Sequence, residues 1–353
     1  MLEDLLIRFG DPPVIAACGA LVGLLFGWSA ERSQFCLRAA TVELAEGRLG
    51  PRLAVWLIVF FAALTLVQGG IATGRIDVGD ARQLASAGSV SGAVLGGLMF
   101  GAGMILARGC ASRLLVLSAT GNLRALVTGL VLTIVAQAAL GGVLAAPRES
   151  LAALQLLGAG ERALPIPPGI AAGLGAAGLL AGLGLARFTA LPAGRAIAAL
   201  FVGAAVALGW WVTARLAATA FEIVPVTSIT FTGPSTDTLM ALVGNRAAPL
   251  SFGLGLVPGV FTGAAVSAAL ARRWKIERFS AETPLERYLV GAVLMGFGAM
   301  LAGGCAVGAG VSGGAILSIT SILALAAMWL GACATHLALR QARMSRGSQG
   351  HRL

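Results

Sequence analysis

The sequence predicts an all-α polytopic membrane protein, with about nine transmembrane helices, short re-entrant helices between them and an inverted internal repeat. Three observations carry that prediction. First, of 353 residues 58% are hydrophobic and 11% charged, with a mean hydropathy of +0.90, a balance foreign to soluble or disordered chains. Second, apolar stretches near the roughly 20 residues that a helix needs to cross a bilayer follow one another with short polar breaks. Third, 50 glycines without a Gly-X-Y period suit helices packed closely in lipid. Nothing is left over for a separate soluble core, so residues 1–353 read as one transmembrane domain.

In chain order, the first span is 13–30. Glu3, Asp4 and Asp11 surround Arg8 ahead of it. A cleaved signal peptide begins with positive charge instead, so this span is expected to be retained. The remaining spans fall at 53–73, 89–107, 125–146, 168–186, 196–214, 248–271, 288–303 and 315–339. Four stretches, 33–46, 109–121, 222–243 and 304–314, are too short or too polar to cross. Such backbone is tolerated at membrane depth only when buried in protein or lining a wet cavity, which makes these stretches re-entrant and the natural place for a binding site. The hydroxyls of Ser228, Thr230, Thr232, Ser235, Thr236 and Thr238 have two open roles there: to satisfy broken backbone or to line a vestibule.

The net charge of +10 is mostly arginine. Its richest breaks hold Arg32, Arg38, Arg48 and Arg52, then Arg272, Arg273, Lys275, Arg278 and Arg287, then the tail from Arg340. Threading the spans alternately places all of these, with Arg108, Arg113, Arg124, Arg187 and Arg195, on one side, so the positive-inside rule predicts a periplasmic amino terminus and a cytoplasmic carboxyl terminus. Lipid is the partner such a surface expects. Nucleic acid is not, because no compact basic domain or binding motif exists. Trp210 and Trp211, near a span end, read as interface anchors. The five cysteines form no CxxC pair and have no histidine at metal-ligand spacing, so neither a disulfide framework, a metal nor another cofactor is expected. His336 has no acidic or cysteine neighbour at such spacing and reads as inert. No Walker motif is present, so the chain is not expected to hydrolyse ATP.

Residues 96–111 (GGLMFGAGMILARGCA) and 291–306 (GAVLMGFGAMLAGGCA) match at eight of sixteen positions with a constant offset of 195. In the threading above one copy enters from each side, making approximate halves 13–146 and 196–339 that run antiparallel. Inverted repeats place substrate near the midplane on broken helices. Each Gly-Cys, Gly109-Cys110 and Gly304-Cys305, is then expected at a helix break, with the free amides of a following half-helix favouring an anion and the two thiols facing each other. Arg108 flanks the first copy, where Gly303 stands in the second; beyond setting topology, it is a candidate for raising local anion concentration at the exit. A weaker echo sets Gly23 and Gly27 beside Gly255 and Gly259, with no counterpart of Cys36; with Gly263, their four-residue spacing reads as helix contact.

The segments SQFCLRAA around Cys36, GAGMILARGCAS around Cys110, SITFTGPSTDTLM from Ser228 and FGAMLAGGCAVGAG around Cys305 resemble the YeeE/YedE, or sulphur-transport, family of bacterial inner-membrane proteins. The resemblance implies a multi-pass transporter for thiosulfate uptake, with Cys36, Cys110 and Cys305 lining an hourglass-shaped path. Cys18 and Cys333 match no family motif. Other family members handle other sulphur or selenium compounds, which stay open as substrates.

Thiosulfate has one soft sulphur and three hard oxygens. A thiol suits it as a weak donor and a polarizable contact that does not trap an ion which must leave. Neutral thiols are expected, because a thiolate would repel the anion. The candidate pathway is therefore Cys36, Cys110, Cys305, Gly109, Gly304 and Arg108, with a cytoplasmic sulphur-carrier protein as a further partner. The rival reading is a membrane sulphur transferase that carries persulfide on a cysteine.

Overall fold

The computed structural model describes residues 2–85, 88–158, 162–244, 250–278 and 285–349. Its helices are α1 (Leu2–Phe9), α2 (Asp11–Ser33), α3 (Leu37–Ala45), α4 (Pro51–Ala72), α5 (Arg82–Ala85), α6 (Val90–Leu106), α7 (Ala111–Ala119) and α8 (Leu123–Gly141). They continue with α9 (Ala145–Ala152), α10 (Pro168–Phe188), α11 (Ala193–Thr219), α12 (Thr232–Val243), α13 (Phe252–Leu270), α14 (Leu285–Leu301), a π-helical turn at Ala306–Gly313, and α15 (Ile319–Gln349). Among the described residues nine segments are long and apolar enough to cross a membrane, and no strand forms. The nine match the sequence spans, with shifted ends. The span expected to reach 146 stops at Gly141, because Gly142 takes an extended conformation and the chain turns into α9. Prolines open α4 and α10, where the missing N–H is not needed. Side chains cap three others: Ser89 accepts from Gly92 N–H at 2.8 Å, Asn122 from Ala125 at 2.9 Å and Ser251 from Leu254 at 3.2 Å.

Glycine decides which helices touch. On α2, a β-carbon at Gly19, Gly23 or Gly27 would lie 2.1, 2.4 or 2.1 Å from the carbonyl oxygens of Phe252, Leu256 and Val260 on α13. Reciprocally, one at Gly255, Gly259 or Gly263 would lie 1.9, 2.3 or 2.3 Å from those of Ala16, Ala20 and Leu24. Residue numbers rise together, so the two helices run parallel with their backbones in direct contact, which the four-residue glycine spacing permits. The repeat glycines do the same for α6 and α14. A β-carbon on Gly96 would meet Gly298 O at 2.5 Å, and one on Gly103 would meet Gly291 O at 2.6 Å. Here low numbers meet high ones, so the two copies of the glycine pattern pack antiparallel against each other.

The contacts of the elements come in matched sets. As α6 packs on α15, α14 packs on α8; as α2 packs on α13, α11 packs on α4. In the same way α7 touches α8 and α13, while the π turn touches α15 and α4; α3 touches α4, α6 and α15, while α12 touches α13, α14 and α8. By this correspondence the segment that follows α11, not a cysteine, occupies the place of Cys36. Trp210 is not an interface anchor: its side chain is fully buried and its Nε1–H donates to Ser312 O at 3.2 Å, holding the π turn. Trp211 is 43% exposed.

Candidate functional site

Three hairpins share one construction. In each a helix ends on a residue in the left-handed region: Gln34 (φ 56°), Arg108 (φ 56°) and Gly303 (φ 79°). The next residue's N–H reaches back five positions, Phe35 to Ala30 O (3.3 Å), Gly109 to Met104 O (3.1 Å) and Gly304 to Ala299 O (2.9 Å), the bond of a Schellman turn. The residue after that is a cysteine in extended conformation at the N-cap of a half-helix: Cys36 for α3, Cys110 for α7 and Cys305 for the π turn. Their carbonyls accept the first bonds, from Ala40, Leu114 and Ala309 at 3.3, 2.9 and 2.8 Å. Cys305 Sγ also accepts from Gly308 N–H at 3.4 Å. Cys36 and Cys110 hold the same N-cap position without a side-chain cap hydrogen bond. Each sulphur thus sits where free N–H groups and the positive end of a helix dipole are presented.

The sequence exposed two of these hairpins through their shared Gly-Cys; the third was reached through family likeness. The missed signal is conformational, because Gln34 fills the left-handed position without being glycine. Arg108 and Gly303 are equivalents for the same reason, and Arg108 carries strain that Gly303 does not. Arg108→Gly is expected to raise stability by about 1 kcal/mol, read as a higher unfolding temperature of the purified protein. A fall would show that the exposed guanidinium makes stabilising contacts.

Cys110 and Cys305 are each 1% exposed, whereas Cys36 is half-buried. The thiols of Cys110 and Cys36 lie close enough to interact with each other. Cys110 Sγ also lies 3.4 Å from Ser112 Oγ. The half-helices of Cys110 and Cys305 approach each other. Their far ends belong to opposite faces: Lys275 N–H donates to Thr120 O (3.2 Å) beyond α7, and Ile319 N–H to Arg162 O (3.1 Å) beyond the π turn. The ends that converge are therefore those bearing the cysteines.

A cavity of about 580 Å³ opens beside the Cys305 hairpin, and Thr230, Thr232, Gly303, Gly304 and Gly308 are among its lining residues. Arg82 and Arg148 border it and a neighbouring cavity of about 380 Å³. Arg82 Nη2 donates to Gly303 O at 2.9 Å. The hydroxyls left open by the sequence divide here. Thr236 donates to Gly233 O (2.5 Å) and Thr238 to Pro234 O (2.7 Å), satisfying backbone; Thr230 and Thr232 border the cavity; and Ser228 does both, donating to Val206 O (2.6 Å) while lining it. Asp237 also borders it, and burial raises its carboxyl above the usual range.

Among the described residues no cluster of His, Cys, Asp and Glu is arranged to hold a metal. His336 has an acidic neighbour in space that its sequence surroundings lack: its Nε2 lies 3.2 Å from Glu46 Oε1. Arg48, and then His336, hold the Glu46 carboxyl below its ordinary range. Cys333 Sγ donates to Thr41 O at 3.7 Å, away from the hairpin turns.

A family model described as sulphur transport matches residues 32–334, from just before the first hairpin to the middle of α15. The chain belongs to the sulphur-transport (YeeE/YedE) family. The thiosulfate transporter TsuA of Escherichia coli is 36% identical to it over 100 residues, 28% of this chain and 28% of that protein. The chain thus matches little more than a quarter of that relative's length. Family and relative are transporters, in agreement with the reading of transport over sulphur-transferase catalysis.

Proposed function

We propose that this protein takes up thiosulfate, or a close sulphur-containing relative, along a path that passes Cys305, then Cys110 and Cys36. The observation that supports it is the threefold use of one hairpin to put a thiol at a half-helix amino terminus. Amides and helix dipole suit the oxygens and charge of the anion, and the thiol suits its soft sulphur. Gly304 leaves room for the π turn to pack behind Cys305, Gly109 holds the matching place ahead of Cys110, and Arg108 adds positive charge at one end. The matched packing sets support two inverted halves, approximately 13–146 and 196–339, that enclose the path between them.

In this reading the protein lies in a bacterial inner membrane among lipid, with the amino terminus and the cavity beside Cys305 facing the periplasm. The arginine-rich face and the carboxyl terminus are cytoplasmic, where a sulphur-carrier protein would take the anion onward. The test is radiolabelled thiosulfate flux into liposomes holding the purified protein. Cys110→Ala and Cys305→Ala are each expected to slow uptake about tenfold, equivalent to about 1.4 kcal/mol of barrier, at unchanged protein content. Native rates in both would exclude the thiols from the path, and absence of flux through the unaltered protein would remove thiosulfate as substrate.

A further inference from the structure

The arginines that the sequence used only to assign sides are not spread over a face; several converge. Gln34, the left-handed residue of the first hairpin, accepts from Arg52 Nη1 at 2.7 Å and from Arg195 Nη2 at 3.1 Å through the same Oε1. Arg52 comes from the start of α4 and Arg195 from the start of α11, 161 residues from Gln34. Arg113, on α7, is within electrostatic reach of both Arg195 and the Cys36 thiol, and Arg38 also acts on that thiol. All four arginines are half-buried.

Among the described residues none of the four has an ion-pair partner. Two carboxylates of this face are taken up by donors other than these four guanidiniums. Glu31 Oε2 accepts from Arg273 (2.8 Å) and Ser267 (2.7 Å), and Glu43 Oε2 accepts from the backbone of Arg52 (3.0 Å) and Leu53 (2.9 Å). The Nε atoms of Arg38 and Arg195 are buried without any hydrogen-bond partner. Gathering like charges around one neutral amide, with donors left empty, is unfavourable unless an anion completes the set.

The hairpin does not require these charges. At the constant offset of 195, Arg108 and Arg113 correspond to Gly303 and Gly308, and the second hairpin forms without them. Holding topology does not require this arrangement either, since Arg272, Lys275 and Arg278 lie exposed on the same face and supply charge there.

We propose that Arg52 and Arg195, joined at Gln34, together with Arg113 and Arg38, which act on the neighbouring Cys36 thiol, form a binding station for a divalent sulphur oxyanion at the arginine-rich end of the path. Guanidinium forks match tetrahedral oxyanions in geometry as well as charge. The proposal rests on the transport reading only for the identity of the anion. A station at one end cannot set the direction of net flow; it lowers the barrier for leaving the thiol pair by giving the anion somewhere to go.

Calorimetric titration of the purified full-length protein with sulfate, which lacks the soft sulphur, and with thiosulfate tests the station. Both anions are expected to bind, and Arg52→Gln with Arg195→Gln is expected to weaken both by about tenfold or more, as loss of two charge-assisted contacts implies. Should that double variant fail to fold, Gln34→Glu keeps the hairpin and supplies a resident carboxylate between the two guanidiniums. It is expected to stabilise the protein and to weaken both anions at least as much. Unchanged sulfate affinity in Gln34→Glu, or no sulfate binding to the unaltered protein, overturns the station even if thiosulfate flux is normal. Sulfate binding that Gln34→Glu abolishes, in a protein that carries no thiosulfate, upholds the station and overturns the transport reading instead.

Discussion

Gly255→Ala is expected to leave almost no correctly assembled protein, whereas Gly184→Ala, the same exchange on α10, is expected to be harmless. At 255 the new β-carbon would lie 1.9 Å from Ala16 O, 2.7 Å from its carbonyl carbon and 3.1 Å from its Cα. All three are backbone atoms, which no rotamer change can move aside. The pair α2 and α13 must separate or slide, and the other five glycines of the seam are then lost as contacts as well. Overpacking ordinarily costs about 1–3 kcal/mol; this site lies at the upper end or beyond, enough to unfold a protein whose whole margin is about 5–15 kcal/mol once detergent and temperature have reduced it. At Gly184 nothing lies within 4 Å, and alanine adds about 1 kcal/mol of helix propensity. Size-exclusion profiles of detergent-extracted protein check the contrast. A sharp monodisperse peak for Gly255→Ala would mean that the two helices do not pack as described.

The second large effect separates two glycines with the same place in the repeat. A β-carbon on Gly304 would lie 2.8 Å from the Ala309 backbone nitrogen and 3.3 Å from the Gly308 carbonyl carbon. On Gly109 the closest atom is 3.3 Å away and is Leu114 Cδ2, the tip of a movable side chain. Gly304→Ala is therefore expected to push the π turn off the Cys305 hairpin and to reduce thiosulfate uptake about thirtyfold, the consequence of about 2 kcal/mol of overpacking strain. Gly109→Ala is expected to stay within about threefold of native uptake, because Leu114 can yield. The asymmetry follows from the π turn itself, where every residue from Ala306 to Gly313 is buried. Trp210 donates to Ser312 O at 3.2 Å and Gln68 to Ala315 O at 2.7 Å, fastening the segment from two sides. Equal uptake in the two variants, measured in the same liposomes, would contradict this account.

Both predictions concern glycines that are visible in the sequence, yet their consequences are not. The spacing of Gly255, Gly259 and Gly263 announces helix contact, but which helix answers, and that it runs parallel, depends on α2 offering Gly19, Gly23 and Gly27 at the complementary height. Gly-Cys at 109–110 and 304–305 is repeated word for word, while the Gln34-Phe35-Cys36 turn shares only the cysteine. A left-handed residue followed by a back-reaching amide is a backbone property, and glutamine, arginine and glycine can all meet it, so a comparison of letters finds two of three. Trp210 illustrates the reverse error. Its position near a span end suggested lipid headgroups, but α11 runs on to Thr219 and carries that ring into the core.

The sequence by itself determined what depends on local composition and period: an all-helical membrane chain, its nine spans, a basic face, and two helix breaks marked by the same Gly-Cys pair. These are short-range matters of hydropathy, chain length and backbone freedom, and a reader of the letters has all the quantities needed. Only the tertiary structure decided which thiols are neighbours, which glycine tolerates a methyl group, and that Arg52 and Arg195 meet at Gln34. Those outcomes depend on where carbonyls and guanidiniums from distant helices arrive, to within a few tenths of an ångström, and no sequence spacing encodes a distance between helices that are not joined.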